Sequence, residues 1–476
     1  MNKKNTVLNF MWRFAERCGA QGVNFLVSII IARVLMPEDY GTIALVTVFI
    51  AILNVFVDSG LGNALIQKKD VDNLDYSSVF YFNILLCSIL YILLFLSAPL
   101  ISNLYGNPEL TKVIRMLGVT LVISGVKNVQ IAYVSKTMQF KKFFFSTLGG
   151  TIVAAIIGII MAYNNFGVWA LVAQQVVNTT IDTIILWLTV QWRPIAKFSL
   201  KRLLGLISYG WKLLVSGLVD TTYNNISQLI IGKFYSTSDL AYYNRGHSFP
   251  NLIITNINSS IDSVLFPVMS HHQDELEKMK NITRKSIRMS SYLIWPIVIG
   301  LSICAEPLIR VLLTEKWIAS VPYMQIFCIT YGFWPVHTAN LNAIKALGRS
   351  DVFLKLEIIK KIIGLISILI ALQHGVMAMA LVNLILSPIY AMVNATPNKR
   401  LLNYSYREQI YDMLPAIIYS LIMAVLVYFV KFLNLGDIIT LIIQVLLGVI
   451  IYIFLSYVQK NESFMYILSI LEKLKK

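Results

Sequence analysis

From Ser78 to Leu104 the chain reads SVFYFNILLCSILYILLFLSAPLISNL, 27 residues without a charge. A helix needs about 20 apolar residues to cross a bilayer, so this stretch alone can span one. The same texture extends in both directions. Of 476 residues, 57% are hydrophobic and 13% charged, where ordinary globular chains run at about 45–50% and about 25%. The mean hydropathy is +0.69. Apolar runs lie at 12–35, 41–66, 78–104, 111–135, 145–164 and 167–190, then at 207–234, 240–270, 289–313, 320–346, 353–371 and 375–396, and finally at 412–431 and 438–458. The expected fold class is therefore an all-α polytopic membrane protein of about 14 transmembrane helices. The expected domains are a six-helix bundle over 1–195, a second over 205–397, two additional helices over 410–458 and a cytoplasmic amphipathic tail over 459–476. Spans consume the length, which excludes a fused nucleotide-hydrolysing subunit, a large receptor ectodomain and a single-anchor enzyme.

A net charge of +16 would suit a nucleic-acid binder, but the basic residues sit in short clusters between the apolar runs. One side of the membrane collects Lys3, Lys4, Lys68, Lys69, Lys136, Lys141, Lys142, the 193–202 cluster, the 278–288 cluster, Lys345, Arg349, Lys355, Lys399, Arg400 and Arg407. On the other side Lys316 and Lys431 are nearly alone. The positive-inside rule then puts both termini in the cytoplasm, and no nucleic-acid partner is implied. The segment after Lys4 carries Arg13, Glu16 and Arg17 without a small-residue cleavage site, so a removed signal peptide is not expected.

The two sets of six runs echo each other. Ile30-Ile31-Ala32-Arg33 is followed by Asp39-Tyr40-Gly41, and 200 residues later Ile230-Ile231-Gly232-Lys233 is followed by Asp239-Leu240-Ala241-Tyr242. Asn164-Asn165-Phe166-Gly167-Val168-Trp169-Ala170 is similarly echoed by Gln373-His374-Gly375-Val376-Met377-Ala378. An even number of spans per set gives both halves one orientation, the pattern of parallel repeats with a substrate route between two bundles.

Ionisable residues at mid-membrane cost about 2.5–3.5 kcal/mol each on insertion scales, so each needs a reason. Arg13, Glu16 and Arg17 share one face of the first helix. They either snorkel to lipid headgroups or form a cationic rim able to receive a phosphate. Lys127 lies too deep to snorkel, which favours a cavity, and a cavity role is read for Lys212 and Arg245 as well, the latter with His247 beside it. Asp58, Asp182, Asp220 and Asp262 either pair with these cations and cap kinked helices, or form an ion or proton site that changes charge as access alternates. Asp58, next to Ser59-Gly60-Leu61-Gly62, and Asp220, beside Thr221, Thr222, Asn224 and Asn225, are the stronger candidates.

Pro250, Pro267, Pro296, Pro335 and Pro388 fall inside spans of the second set, whereas Pro37, Pro99, Pro108 and Pro194 fall near ends. The second bundle is expected to be the more bent, through hinges or through static kinks. Cys18, Cys87, Cys304 and Cys328 have no metal or disulfide spacing and read as small core residues. His271-His272 reads as a solvated pair. No P-loop, HExxH, nucleophile elbow or EF-hand loop occurs.

Four motifs carry a resemblance. They are Ala32-Arg33-Val34-Leu35-Met36-Pro37-Glu38-Asp39-Tyr40-Gly41, Asp58-Ser59-Gly60-Leu61-Gly62-Asn63-Ala64-Leu65-Ile66-Gln67, Ala241-Tyr242-Tyr243-Asn244-Arg245-Gly246 and Leu265-Phe266-Pro267-Val268-Met269-Ser270. With the 6 + 6 + 2 plan they resemble the bacterial polysaccharide flippase family, especially its colanic-acid and teichuronic-acid exporter branch, within the multidrug/oligosaccharidyl-lipid/polysaccharide exporter superfamily. The resemblance implies alternating-access translocation of a polyprenyl-pyrophosphate-linked oligosaccharide across the bacterial cytoplasmic membrane, with no catalytic step and no cofactor beyond proton or sodium coupling. It implies membrane lipids, a polysaccharide polymerase and export machinery as partners, and it carries Arg13, Arg17 and Arg245 over as substrate-binding positions. Cations suit a pyrophosphate, and Tyr223, Asn224, Asn225, Asn256 and Asn258 suit sugar hydroxyls. Two other classes remain open: a multidrug/cation antiporter of the same fold, which would want an acidic, aromatic cavity, and a membrane polysaccharide polymerase, which would want a large outer loop.

Overall fold

The computed structural model describes residues 3–58 and 60–475. These residues are helical almost throughout and contain no strand. In chain order the helices are α1 (Lys3–Val34), α2 (Pro37–Asp58), α3 (Leu61–Gln67), α4 (Asn73–Tyr105), α5 (Glu109–Lys136), α6 (Lys141–Tyr163), α7 (Val168–Thr189), α8 (Leu200–Phe234) and α9 (Thr237–His271). Then come α10 (Leu276–Ile303), α11 (Ala305–Leu313), α12 (Val321–Gly332), α13 (Trp334–Ala346), α14 (Ser350–Ala371), α15 (Val376–Leu401), α16 (Tyr406–Tyr428), α17 (Asp437–Val458) and α18 (Glu462–Lys475).

Among the described residues ten spans, with α2 and α3 taken as one, are long and apolar enough to cross a membrane. The number rises to eleven if α8, bent by 51° between Ser208 and Gly210, is one crossing. The chain is a multi-pass membrane protein, but a count of fourteen is not confirmed. The helices that fall short have identifiable causes. Arg13, Glu16 and Arg17 charge α1, and Lys355, Glu357, Lys360 and Lys361 charge α14. The run 320–346 breaks at Phe333, with Pro335 opening α13, so neither piece spans alone. The run 289–313 likewise divides at Cys304 into α10 and the short α11.

The two sequence echoes mark matching helix starts. Asp39 Oδ2 accepts the Met36 amide at 3.1 Å and Asp239 Oδ2 accepts the Ser236 amide at 3.2 Å, so each aspartate closes the first turn of its helix, α2 or α9. Gly167 and Gly375 both take positive φ, 55° and 98°, immediately before α7 and α15, a conformation that costs glycine nothing. The starts of α2 and α9 also touch: Ser238 donates to Glu38 at 2.6 Å, and a Cβ on Gly41 would overlap the Thr237 carbonyl.

By packing, the chain divides into two compact units, Met1–Ala241 and Tyr242–Lys476. In the first unit α6 packs on α1 and α7, α4 on α5, and α8 on α2, α3 and α4. Its core includes Leu65, Tyr76, Val79, Phe80, Leu186, Trp192, Leu203 and Leu206. Tyr76 and Phe80 both contact the Trp192 ring, at 5.7 and 6.0 Å. The connection into α8 is docked on α4: Ile195 N donates to Ser77 Oγ and Ser199 N to Ser78 Oγ, both at 2.9 Å. Where α8 bends, Gly210 faces Gly60 so closely that a Cβ on either would come within 3.0 Å of the other's backbone.

In the second unit α10 is central, packing on α12, α13 and α16, around a core that includes Met269, Ile287, Ala339, Tyr404 and Met413. Here α9, α10 and α15 run through Pro250, Pro267, Pro296 and Pro388 as continuous helices. Asp412, buried, binds Arg284 at 2.8 Å, Arg288 at 2.6 Å and the Tyr404 hydroxyl at 2.7 Å. Arg288 also pairs with Glu462 and so ties α18 to α10.

Candidate functional site

The polar side chains expected at membrane depth fall on a few helix faces. On α1, Arg13 donates to Glu16 at 2.6 Å and stacks over Phe143 at 4.9 Å. Glu16 is buried and also accepts Thr147 of α6 at 3.3 Å. Arg17 is exposed, and one and two turns further on so are Gln21 and Asn24, which gives α1 a polar face beginning at a cation.

On α8 the exposed residues Lys212, Ser216, Asp220 and Asn224 recur at intervals of four and so form one stripe. Tyr223 and Asn225 are half-buried beside it, and Asn225 donates to the Thr221 carbonyl of its own helix at 2.8 Å. A lysine or aspartate at mid-membrane depth costs several kcal/mol against acyl chains, so such a stripe suits water or a polar ligand.

Lys127 is brought together with Asp182, Nζ to Oδ2 at 2.9 Å, joining α5 to α7, with side chains 17% and 16% exposed. The second carboxylate oxygen of Asp182 is buried and accepts no hydrogen bond. The side chain of Asp58 lies outside the described residues.

In the second unit hydrogen bonds link α9 to α12 and α13: Tyr331 to Asn251 at 2.9 Å, Thr338 to Asn258 at 2.7 Å, and Asn342 to Asp262 at 2.6 Å. Tyr331 also bonds His247 Nε2 at 2.7 Å. Asn342 Oδ1 is buried and unbonded. Asn256, Ser259, Ser260 and Ser263 occupy exposed positions on the same helix. Arg245 stacks over the buried Trp317 ring at 5.0 Å.

Several partners of these residues are invisible in the linear sequence. The amides Asn340, Asn398 and Gln409 form a buried cluster, with Asn398 to Asn340 at 2.7 Å and Gln409 to Asn340 at 3.3 Å. His337 is bonded to Asn394 at 3.0 Å. Each pairing joins residues dozens of positions apart, which no local pattern encodes. Among the described residues no group of three or more His, Cys, Asp or Glu could hold a metal ion, and the four cysteines are free.

Known proteins resemble the chain in sequence and in fold. The family model described as "Polysaccharide biosynthesis protein" matches residues 30–322. The succinoglycan biosynthesis transport protein ExoT of Rhizobium meliloti is 24% identical, over 74% of this chain and 71% of its own. The lipopolysaccharide biosynthesis protein WzxC of Escherichia coli K12 is 21% identical, over 86% and 84%. Among solved structures, the lipid II flippase MurJ in an inward closed conformation superposes with a TM-score of 0.76, covering 97% of this chain and 99% of its own at 16% identity. That likeness concerns the fold.

Proposed function

The chain belongs to the polysaccharide biosynthesis protein family, and on that premise we propose that it flips a polyprenyl-pyrophosphate-linked oligosaccharide across the bacterial cytoplasmic membrane, with both termini in the cytoplasm. The observation that carries this reading is the exposed stripe Lys212, Ser216, Asp220 and Asn224 on a helix otherwise built for the membrane. A hydroxyl moved from water into hydrocarbon without a partner costs about 4–8 kcal/mol, so a headgroup of several sugars faces a barrier of tens of kcal/mol. A polar, hydrated helix face lowers that barrier while the polyprenyl tail stays in lipid. Arg17, at the mouth of the polar face of α1, and Arg245 of α9 are assigned to the pyrophosphate, where charge-assisted hydrogen bonds are strongest. Tyr223, Asn224 and Asn225 are assigned to sugar hydroxyls. Asp220 and Asp262 are the candidates for coupling to protons or sodium. The protein makes and breaks no covalent bond, and hands its cargo to a polymerase and export machinery.

The mixed charge of the α8 stripe supports a zwitterion-tolerant, hydroxyl-rich path over the acidic, aromatic cavity a cation antiporter needs. The test is flipping of a fluorescent polyprenyl-pyrophosphate oligosaccharide in proteoliposomes. Arg17→Gln and Lys212→Gln are each expected to slow it about tenfold, equivalent to about 1.4 kcal/mol of lost transition-state stabilisation. Wild-type rates in both variants would reject the model, and new glycosidic bonds in the product would replace it with a polymerase.

A further inference from the structure

A polar pocket of about 470 Å³ opens at one end of the second unit, where α10 ends, α11 begins and the chain turns from α16 into α17. Its size falls within the range of small-ligand sites, about 300–1,000 Å³. The end of α10 that lines it lies about 27 Å, eighteen residues, from Arg284, so the pocket is at the opposite end of the unit from the Arg284–Asp412–Arg288 cluster. In the orientation proposed above it faces outward.

The lining combines Glu306, Arg310, Lys431, Asp437, Gln444 and Tyr428. Two carboxylates balance two cations, so the lining carries no net charge. Glu306 is already engaged by Lys431 at 2.7 Å and by Arg310 at 3.2 Å. Such a lining has no surplus positive charge for a phosphate and too many polar groups for an acyl chain. One of its buried groups is unfilled: Gln444 is 3% exposed, and its Oε1 accepts no hydrogen bond. Arg310 is held between Glu306 at 3.2 Å and Glu315 at 3.3 Å. A buried acceptor left open costs about 1–3 kcal/mol unless something fills it.

A neutral ligand that offers donors and acceptors in close alternation can supply the missing donor and bond the polar lining around it, and the half-exposed Tyr428 ring can cover an apolar face. A pyranose ring has these properties. We propose that this pocket is a carbohydrate subsite which holds one uncharged sugar of the cargo on the outer side. The proposal rests on the flippase reading for the origin of its ligand, though not for its chemistry.

The test uses the full chain in lipid nanodiscs free of glycoside detergents, whose headgroups would compete. Saturation-transfer NMR is recorded with the methyl glycosides of glucose, galactose and N-acetylglucosamine, and with inorganic pyrophosphate as competitor. Transfer to at least one glycoside is expected, undiminished by pyrophosphate. Affinity should fall about tenfold in Gln444→Leu, the 1.4 kcal/mol of one hydrogen bond. Asp437→Asn, at an exposed position, should weaken binding as well and keeps the test open if the buried change impairs folding. No transfer to any glycoside, unchanged binding in both variants, or displacement by pyrophosphate would each overturn the subsite. Glycoside binding by a protein that fails to flip removes the flippase reading and leaves the subsite. Flipping without glycoside binding does the reverse.

Discussion

Lys127 and Asp182 show what a sequence can and cannot say about a single residue. Depth in the membrane made both conspicuous, since a charge there needs a partner or a cavity. Their 55-residue separation gave no sign that each is the other's partner. The pair is partly buried, so removing one member leaves a charge in poor solvent. Lys127→Met and Asp182→Asn are each expected to cost about 3 kcal/mol, the low end for a broken buried pair, read as a fall in thermal midpoint of the purified protein. The double change should recover more than half of the summed loss. Additive losses would show that the two residues do not support each other. Arg13 and Arg17 were equally legible as cations four residues apart, yet packing separates their roles: Glu16 and Phe143 occupy Arg13, while Arg17 stays exposed.

Helices were legible wherever hydrophobicity dictated them, and every apolar run contains one. Breaks were less so, because they depend on contacts. The 51° bend in α8 has no proline and sits where Gly210 meets Gly60, whereas α9, α10 and α15 pass through their prolines unbroken. Helix starts follow local chemistry more closely. Asp72 caps α4, accepting the amides of Asp75 at 2.9 Å and Leu74 at 3.1 Å, and Arg202 lies at 2.5 Å. The Asp75 amide first, and then Arg202, hold the Asp72 carboxyl below its ordinary value. A depressed carboxylate contributes stability above its unfolded pKa, about 3.9, and loses it as pH falls through the lower folded value. Asp72→Ala should therefore destabilise by about 1 kcal/mol at neutral pH, the usual worth of a cap. The gap between variant and wild type should close as pH drops below about 4. A gap of constant size in thermal melts from pH 7 to pH 3 would contradict the capping role.

For the whole molecule, the echo between halves marks two pairs of matching helix starts, each with its own backbone requirement. Sequence did not reveal the polar pocket, whose lining comes from three separate stretches of chain, 302–310, 325 and 428–444. Transport coupling also belongs to this scale. One charge moved through 100 mV is worth about 2.3 kcal/mol, enough to bias a cycle. An imposed proton or sodium gradient should accelerate flipping by the wild type in proteoliposomes. Asp220→Asn should abolish the acceleration and spare the gradient-free rate; equal stimulation of both proteins would clear Asp220 of that role.

Three of the bonds between α9 and the α12–α13 pair join residues 251 to 331, 258 to 338 and 262 to 342, each 80 apart. Both helices therefore advance in step, like the two edges of a zip fastener with teeth at the same pitch. Inserting one residue between the first and second teeth of either helix would rotate everything beyond it by about 100° and disengage two teeth at once. Point substitutions can be absorbed there one bond at a time, whereas changes of length cannot.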